Sequence, residues 1–403
     1  MKVLKDSLIY MIGELFSKSL PFLMLPYLTR KLGPDGFGEL SYYLTWLALF
    51  GIVIGLSQDG AVTRYFYFYG KKGLNNVIKT GYIYNLIITT VSLIVCFLLR
   101  LEILAYVVLA SSFGSLVAVQ LAVQQCQKKP IPYIVIQILL SLTSVLFTVI
   151  AFELIPDKNK IIERILAIGF SNLMVFFVSS IFLSKLFSGN ESFTLKRLKL
   201  NTLYIFSFGL PLILHQSSFF IKGQLDRVFI YNLYSKNELG VYSVGVQIAS
   251  VFPIVIMVFN KAILPYYYES LKIKKLNIEK IKRYSLISLI PVFVLTLSFF
   301  IPDELYRWFV GDGYKGVNYY VALFVCGYAL NIPYLILVNY FFYHGNNFLI
   351  SKITFFSSLI YLACLFLFSK KGIDLIPFAL VISNIVMIIC LYINLKEKNN
   401  ESK

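Results

Sequence analysis

The chain has 403 residues, of which 58% are hydrophobic and only 14% are charged. Soluble domains carry about 25% charged residues, so this composition excludes an ordinary globular enzyme. The formal net charge is +17, but the basic residues are scattered between long apolar stretches, and we therefore expect no nucleic-acid partner. The five cysteines lack the spacing of metal ligands and the two histidines lie far apart, so we expect no metal site.

Apolar stretches of membrane-spanning length follow one another along the whole chain. A hydrocarbon core about 30 Å thick requires roughly 20 apolar residues per helix. We predict twelve such helices, at residues 7–31, 37–58, 78–99, 101–124, 131–152, 161–187, 203–232, 239–263, 284–301, 317–343, 347–369 and 373–395. The connectors between them are too short to fold as catalytic domains. The sequence therefore predicts an all-α, polytopic membrane protein that is not an enzyme and has no catalytic residues.

The basic residues also predict the orientation of the chain. With both termini placed inside, lysine and arginine are about twice as frequent in the inner segments as in the outer loops, which follows the positive-inside rule and predicts cytoplasmic termini. The most basic inner loop, Lys272–Arg283, is expected to lie against anionic headgroups. Membrane lipids are therefore an expected partner.

The first predicted span carries two charged residues, Glu14 and Lys18, which are four residues apart and share one face of a helix. An acid four residues before a base is the favourable order for a helical pair. A charge near the bilayer centre costs at least about 2.5–3.5 kcal/mol. This face is therefore expected to point inward, toward a partner or a water-filled cavity.

The second predicted span contains Gly51 and Gly55, a pair that permits close helix packing, and Asp59 and Arg64 follow at the predicted inner surface. Lys261, near the end of the eighth span, coincides with Asp59 when the chain is shifted by 202 residues. Two interpretations are open: Asp59 and Lys261 form an inner gate, or their side chains extend to the nearby headgroups.

The seventh predicted span repeats the charge pattern of the first. His215, Lys222 and Asp226 fall on one stripe of the helix, and Arg227 lies beside it. At about 30 residues the span is longer than the membrane requires, so we expect a tilt or a bend around Pro211. Buried charges in membrane spans generally serve a function; the alternative is that they form structural ion pairs between helices.

A weak repeat relates the two halves of the chain at an offset of 202 residues. Gly38 falls on Gly240, and each opens an even-numbered span. We predict two six-helix lobes, residues 1–200 and 201–403, that share one orientation. Such lobes are related by a pseudo-two-fold axis along the membrane normal, as in rocker-type transporters.

These features together predict a wet cavity between the lobes, because polar side chains within a membrane need a partner or water. We expect its cations to bind an anionic group of the substrate, and they are Lys18, Lys222, Arg227 and Arg64. Other titratable groups are candidates for coupling transport to a proton gradient, and they are Glu14, Asp226 and His215. Beyond a coupling ion we expect no cofactor.

Two stretches beside the charged spans carry a resemblance to a known family. The first is Leu28–Ser41, LTRKLGPDGFGELS, and the second comprises Leu225–Ile230, LDRVFI, with Leu239–Ser243, LGVYS. They resemble the paired motifs of the bacterial flippases that export O-antigen and capsule repeat units. These flippases belong to the multidrug/oligosaccharidyl-lipid/polysaccharide exporter (MOP) superfamily. The resemblance covers nearly the whole chain in size, number of spans and placement of both motifs.

This resemblance implies twelve helices in two lobes around a cationic cavity, and transport by alternating access. The implied substrate is an undecaprenyl-diphosphate-linked oligosaccharide, moved from the inner to the outer leaflet of the bacterial inner membrane with proton or sodium coupling. Lysine and arginine suit the diphosphate, and aromatic walls suit the glycan. A polysaccharide polymerase and a chain-length regulator are the implied protein partners.

Two other functions fit parts of the sequence. A drug or metabolite antiporter of the same fold is expected to have a smaller and more acidic cavity, which the lysines in both predicted lobes disfavour. A membrane glycan polymerase or ligase needs a substantial outer loop, and the longest outer connector here, residues 302–316, is short. Substitution of three residues in this connector, Asp303, Arg307 and Asp312, tests that alternative.

Overall fold

The computed structural model describes residues 13, 15–17, 19–154, 159–187 and 194–395. Side chains are described throughout these ranges except at residues 182–187, 214–215 and 294–296. The described residues form helices joined by short turns, and no β-strand occurs among them. The prediction of an all-α protein is confirmed.

Within the described ranges, ten helices are long and apolar enough to cross a membrane, and a bent pair within Leu195–Leu233 adds an eleventh. In chain order they correspond to the second through twelfth predicted spans. The first predicted span, residues 7–31, falls largely outside the described residues. The chain is therefore a multi-pass membrane protein, as its hydropathy predicts.

The described chain divides into two compact units. Unit 1 comprises the described residues of Met1–Leu25 and Glu39–Phe220, and unit 2 comprises those of Pro26–Gly38 and Ile221–Lys403. The turn between the first two predicted spans thus belongs to unit 2, although the residues before and after it along the chain belong to unit 1. The sequence alone does not predict this assignment. The pseudo-two-fold relation between two six-helix lobes stays a prediction.

Unit 1 is built around one central helix. Its helices are α1 (Leu25–Gly55), α2 (Gln58–Tyr69), α3 (Leu74–Leu98), α4 (Glu102–Cys126), α5 (Pro130–Leu154), α6 (Lys160–Phe187) and α7 (Leu195–Leu233), of which α1 and α7 also pass through unit 2. Helix α4 packs against α2, α3, α5 and α6, and is therefore the centre of the unit. A buried apolar cluster that includes Val77, Val119 and Ile205 joins α3, α4 and α7.

Helix α1 is interrupted at Gly33, where φ is +65°, and Pro34 follows. Proline has no N–H to donate and clashes with the preceding helical turn, whereas glycine adopts positive φ readily. The kink therefore separates the first two predicted spans. A second break, at Leu56 and Ser57 with φ of 45° and 49°, separates α1 from α2.

Unit 2 packs around α13. Its helices are α8 (Lys236–Ala249), α9 (Val251–Lys272), α10 (Ile278–Ile287), α11 (Leu289–Thr296), α12 (Asp303–Val310), α13 (Val317–Ala329), α14 (Asn331–Tyr343), α15 (Asn347–Phe368) and α16 (Ile376–Asn394). Helix α13 contacts α8, α11 and α16. The buried side chains of Leu337, Phe341 and Leu391 belong to one apolar cluster that joins α14 to α16.

Two glycines make a reciprocal contact between α1 and α8 in unit 2. A Cβ added at Gly38 would lie 2.0 Å from the carbonyl oxygen of Lys236, and one added at Gly240 would lie 2.0 Å from that of Pro34. Both glycines and both carbonyls are related by the same offset of 202 residues. Only a residue without a side chain permits so close an approach. Residues 202 positions apart therefore occupy equivalent places in the contact between α1 and α8.

Helix α7 is bent by 46° between its segments Leu195–Ile213 and Gln216–Leu233. Pro211 lies just before the bend and removes one helical hydrogen bond. The predicted bend in the seventh span is confirmed. Before the bend, α7 approaches the break after α1 closely, since a Cβ at Gly209 would lie 2.4 Å from the carbonyl oxygen of Leu56.

Candidate functional site

Lys222 lies half-buried in the part of α7 that belongs to unit 2. Its ammonium donates hydrogen bonds to the hydroxyl of Ser357 at 2.7 Å and to the side-chain oxygen of Asn384 at 3.1 Å. Both partners are neutral, and among the described residues no carboxylate forms an ion pair with Lys222. An ammonium has three donors, and these two hydrogen bonds use two of them.

The two partners of Lys222 are themselves held in place. The Ser357 hydroxyl, on α15, donates to the carbonyl of Ser383 at 2.6 Å. The Asn384 amide, on α16, donates to the carbonyl of Gly327 on α13 at 3.0 Å. Three helices of unit 2 therefore fix the position of one positive charge within the apolar part of the protein.

Asp226 and Arg227, one turn further along α7, form a buried ion pair. Their exposed fractions are 2% and 9%, and the guanidinium lies 3.5 Å from the carboxylate. The carboxylate accepts hydrogen bonds from the Tyr242 hydroxyl at 2.5 Å and from the backbone N–H of Arg227 at 2.9 Å. Arg227 also donates to the carbonyl of Gly223 and the side chain of Gln224. These contacts satisfy both charges within the protein.

The sequence places Lys222 and Asp226 on one stripe, but their side chains have different partners. The Asp226 carboxylate faces Tyr242 and Arg227, whereas Lys222 faces Ser357 and Asn384. The geometry therefore favours the structural alternative for the Asp226–Arg227 pair. Among the described side chains of this stripe, Lys222 is the charged one without an oppositely charged partner.

Unit 1 contains a cavity of about 330 Å³ between helices α1, α2, α4, α6 and α7. Its lining includes Gly51, Gly55, Asp59 and Asn172. A Cβ added at Gly51 would meet no described atom within 4 Å. Gly51 therefore makes no close contact with a described atom and borders the cavity. Gly55 does allow a contact, with the Cβ of Ser115 at 3.5 Å.

Neutral side chains form a hydrogen-bond network beside this cavity. Asn85 is 2% exposed, donates to the Ser115 hydroxyl at 2.6 Å and accepts from the Ser112 hydroxyl at 2.6 Å. Asn172, which lines the cavity, donates to the carbonyl of Ala110 at 2.9 Å. The sequence analysis missed these residues, together with Ser357 and Asn384. Asparagines inside otherwise apolar spans are the signal that identifies such positions.

Three further residues named in the sequence analysis are exposed. The Arg64 guanidinium lies 5.2–6.0 Å from the rings of Phe68, Tyr204 and Phe208, all within unit 1. Asp59 is exposed at the cavity of unit 1, and Lys261 is exposed on α9 in unit 2. The inner gate of Asp59 and Lys261 stays a prediction, as does the binding of substrate by Arg64.

Three other predicted site residues fall where the structure gives no side chain. Glu14 and Lys18 lie outside the described residues, and the side chain of His215 does as well. Their predicted roles in substrate binding and ion coupling stay predictions. The described part of the chain contains no cluster of three His, Cys, Asp or Glu side chains able to hold a metal ion.

The fold of the chain is that of MOP-superfamily transporters. It is similar to a multidrug resistance MATE transporter of that superfamily in its inward-facing conformation, with a TM-score of 0.68 and 16% identity over 93% of both chains. For the outward-facing conformation of such a transporter the TM-score is 0.64 at 16% identity, over 97% of this chain and 93% of the other. A MOP-superfamily transporter from Pyrococcus furiosus gives 0.65 at 15% identity, over 97% and 94% of the two chains.

The chain belongs to the polysaccharide biosynthesis protein family, whose sequence profile matches residues 3–271. It is 49% identical over 395 residues to a protein of the Lsg locus of Haemophilus influenzae, covering 97% of this chain and 98% of the relative. It is 44% identical over 393 residues to an uncharacterized membrane protein of the same organism, covering 97% and 96%. The resemblance found in the sequence motifs is confirmed, and family and fold together support a role in transport.

Proposed function

We propose that this protein is a flippase that moves undecaprenyl-diphosphate-linked oligosaccharide repeat units from the inner to the outer leaflet by alternating access. The observation that carries the proposal is Lys222, a positive charge held among neutral partners within a membrane span. The polysaccharide biosynthesis family and the transporter fold support the same conclusion. In this proposal Lys222 binds the diphosphate.

An uncompensated charge within a membrane span is costly. A lysine at the centre of a membrane helix costs about 2.5–3.5 kcal/mol, and hydrogen bonds to a hydroxyl and an amide offset only part of that cost. An anionic ligand supplies the missing counter-charge, and its phosphate oxygens accept a charge-assisted hydrogen bond from the third ammonium proton. The arrangement thus stabilises the loaded protein more than the empty one.

The neighbouring ion pair has a positioning role in this proposal. Asp226 binds Arg227 on α7 and Tyr242 on α8, so it holds the helix that carries Lys222 against its neighbour. The second cation for the diphosphate is Lys18, as the sequence predicts. Proton or sodium coupling through Glu14 and His215 belongs to the same proposal, as does an inner-membrane location with cytoplasmic termini.

The test is to replace Lys222 by methionine, which keeps the length of the side chain and removes its charge. In the host cell we expect Lys222→Met to abolish surface polysaccharide while lipid-linked repeat units accumulate on the inner leaflet. Lys222→Arg keeps the charge and should retain part of the export. The measurements are immunoblots of surface glycan, quantification of lipid-linked intermediates and the amount of protein in the membrane.

Lys352→Met is the matched control, since Lys352 is an exposed lysine on α15, the helix that carries Ser357. This variant should export glycan at the parental level. Normal surface glycan in Lys222→Met, with a normal amount of protein in the membrane, contradicts the proposed role of Lys222.

A further inference from the structure

A second cavity, of about 610 Å³, lies in unit 2 between the kink of α1 and the connector at residues 302–316. The polar and aromatic residues of its lining are Thr29, Arg30, Glu304, Arg307, Trp308, Asp312 and Tyr314. Its volume falls within the range of about 300–1,000 Å³ that is typical of small-molecule sites. None of the residues that bind Lys222 lines this cavity.

The floor of this cavity is held by buried hydrogen bonds. Thr29 and Tyr314 are each 1% exposed. The Thr29 hydroxyl donates to the carbonyl of Val310 at 2.6 Å, and the Tyr314 hydroxyl donates to the carbonyl of Thr29 at 3.1 Å. Burial, reinforced by the carboxylate of Asp35, raises the pKa of Tyr314, so this hydroxyl stays a donor. The floor therefore keeps its shape without a ligand.

The walls of the cavity present two oriented guanidinium groups. Arg30 donates to the backbone carbonyl of Trp308 at 2.7 Å. Arg307 lies 3.2 Å from the carboxylate of Asp303 and 3.1 Å from that of Glu304. A guanidinium has five N–H donors, so each group keeps donors for a ligand while its orientation is fixed.

The charges of the walls offset one another, which excludes a simple site for an anion or a cation. Guanidinium groups donate hydrogen bonds, and the carboxylates of Glu304 and Asp312 accept them. Trp308, a residue that is 74% exposed, adds an indole ring. A ligand that fits all of these groups has many hydroxyls that both donate and accept, together with an apolar face that packs on an aromatic ring. Sugars have this chemistry.

We propose that this cavity binds a sugar residue of the transported glycan. The inference rests on the proposed function, and it adds a subsite that recognises the saccharide separately from the diphosphate. The predicted topology places the connector at residues 302–316 on the outer side of the membrane. The subsite therefore binds the glycan where it arrives after translocation.

Intrinsic fluorescence gives a direct test, because the chain has only two tryptophans, Trp46 and Trp308. In the full-length Trp46→Phe variant, purified in detergent, the emission comes from Trp308 alone. The probe is the mixture of oligosaccharides released by mild acid from the lipid-linked intermediates of host cells that lack the protein. We expect a saturable change in Trp308 emission. Calorimetric titration of the parent protein, which keeps both tryptophans, with the same oligosaccharides gives the affinity without relying on the Trp46→Phe variant.

Substitutions then test whether Trp308 belongs to a sugar site or is only one of the aromatic residues that are common at a membrane interface. Trp308→Ala and Asp312→Ala should each weaken binding of the released oligosaccharides about tenfold. Phe300→Ala is the matched control, since Phe300 is 79% exposed near the same connector and does not line the cavity. It should leave the affinity unchanged.

The outcomes also distinguish this inference from the proposed function. If host cells without the protein accumulate no lipid-linked intermediates, the proposed function fails and this inference fails with it. If intermediates accumulate but their oligosaccharides give neither a fluorescence change nor calorimetric binding, the sugar subsite is wrong while the flippase function stands. Equal affinity in Trp308→Ala and the parent also overturns the subsite.

Discussion

Two regions of the molecule, the Asn85 network in unit 1 and the segment of α7 from Lys222 to Arg227 in unit 2, satisfy their polar groups in different ways. Beside the cavity of unit 1, Asn85 and Asn172 form hydrogen bonds with other neutral groups. In the α7 segment, Asp226 and Arg227 form a buried ion pair, whereas the half-buried Lys222 lacks a carboxylate partner among the described residues. The difference teaches that a polar residue in a membrane span indicates a ligand only where the protein itself leaves a charge unbalanced.

The largest effect on stability is expected at the Asp226–Arg227 pair. Removing one member of a buried ion pair leaves the other uncompensated, which costs about 3–5 kcal/mol. We expect Asp226→Leu and Arg227→Met each to lower the free energy of unfolding by about that amount. The measurement is denaturant-induced unfolding of the purified protein in detergent.

The double variant Asp226→Leu/Arg227→Met is the control for this pair, because it leaves no unpaired charge. It should recover most of the stability that either single substitution removes. If the losses of the two single variants simply add in the double variant, the two residues do not stabilise each other, and the contrast with Lys222 disappears.

A smaller loss is expected in the neutral network of unit 1. Asn85→Leu removes four hydrogen bonds, with Thr89, Ser112 and Ser115, and leaves the Ser112 hydroxyl to find another acceptor. Unsatisfied neutral groups cost about 1–3 kcal/mol, less than an unpaired buried charge. The same unfolding measurement checks this order. A loss at Asn85 that equals the loss at Asp226 contradicts the contrast between the neutral network and the ion pair.

The smallest effect is expected at Gly51, which borders the cavity of unit 1. Gly51→Ala meets no described atom within 4 Å, and alanine is favoured over glycine inside a helix by about 1 kcal/mol. We expect stability to stay equal or rise by up to about that amount. Gly209→Ala is the matched control and should destabilise, because its Cβ meets a backbone oxygen at 2.4 Å. Thermal unfolding of both variants compares them, and destabilisation by Gly51→Ala contradicts an open cavity.

Most of the fold follows from the sequence, because the length and spacing of the apolar stretches determine the helices. The second through twelfth predicted spans each have a helical counterpart among the described residues. The bend after Pro211 also followed from a local rule about proline. The position of Pro26–Gly38 in unit 2 did not, since it depends on tertiary contacts such as that between Gly38 and Gly240.

The candidate site is only partly predictable from the sequence. Helical spacing identified Lys222, Asp226 and Arg227 as unusual, but it could not assign their partners. Ser357 and Asn384 lie 135 and 162 residues from Lys222 along the chain. Helical periodicity relates residues within one helix, so contacts between distant helices become visible only in the three-dimensional structure.

The most direct test of the account is the affinity of the purified protein for undecaprenyl diphosphate, measured in detergent for the parent and for Lys222→Met. A charge-assisted hydrogen bond contributes about 1.5–3 kcal/mol, so Lys222→Met should weaken binding by about 10- to 100-fold. Lys352→Met should bind like the parent. Equal affinity of Lys222→Met and the parent would contradict the claim that Lys222 holds the diphosphate.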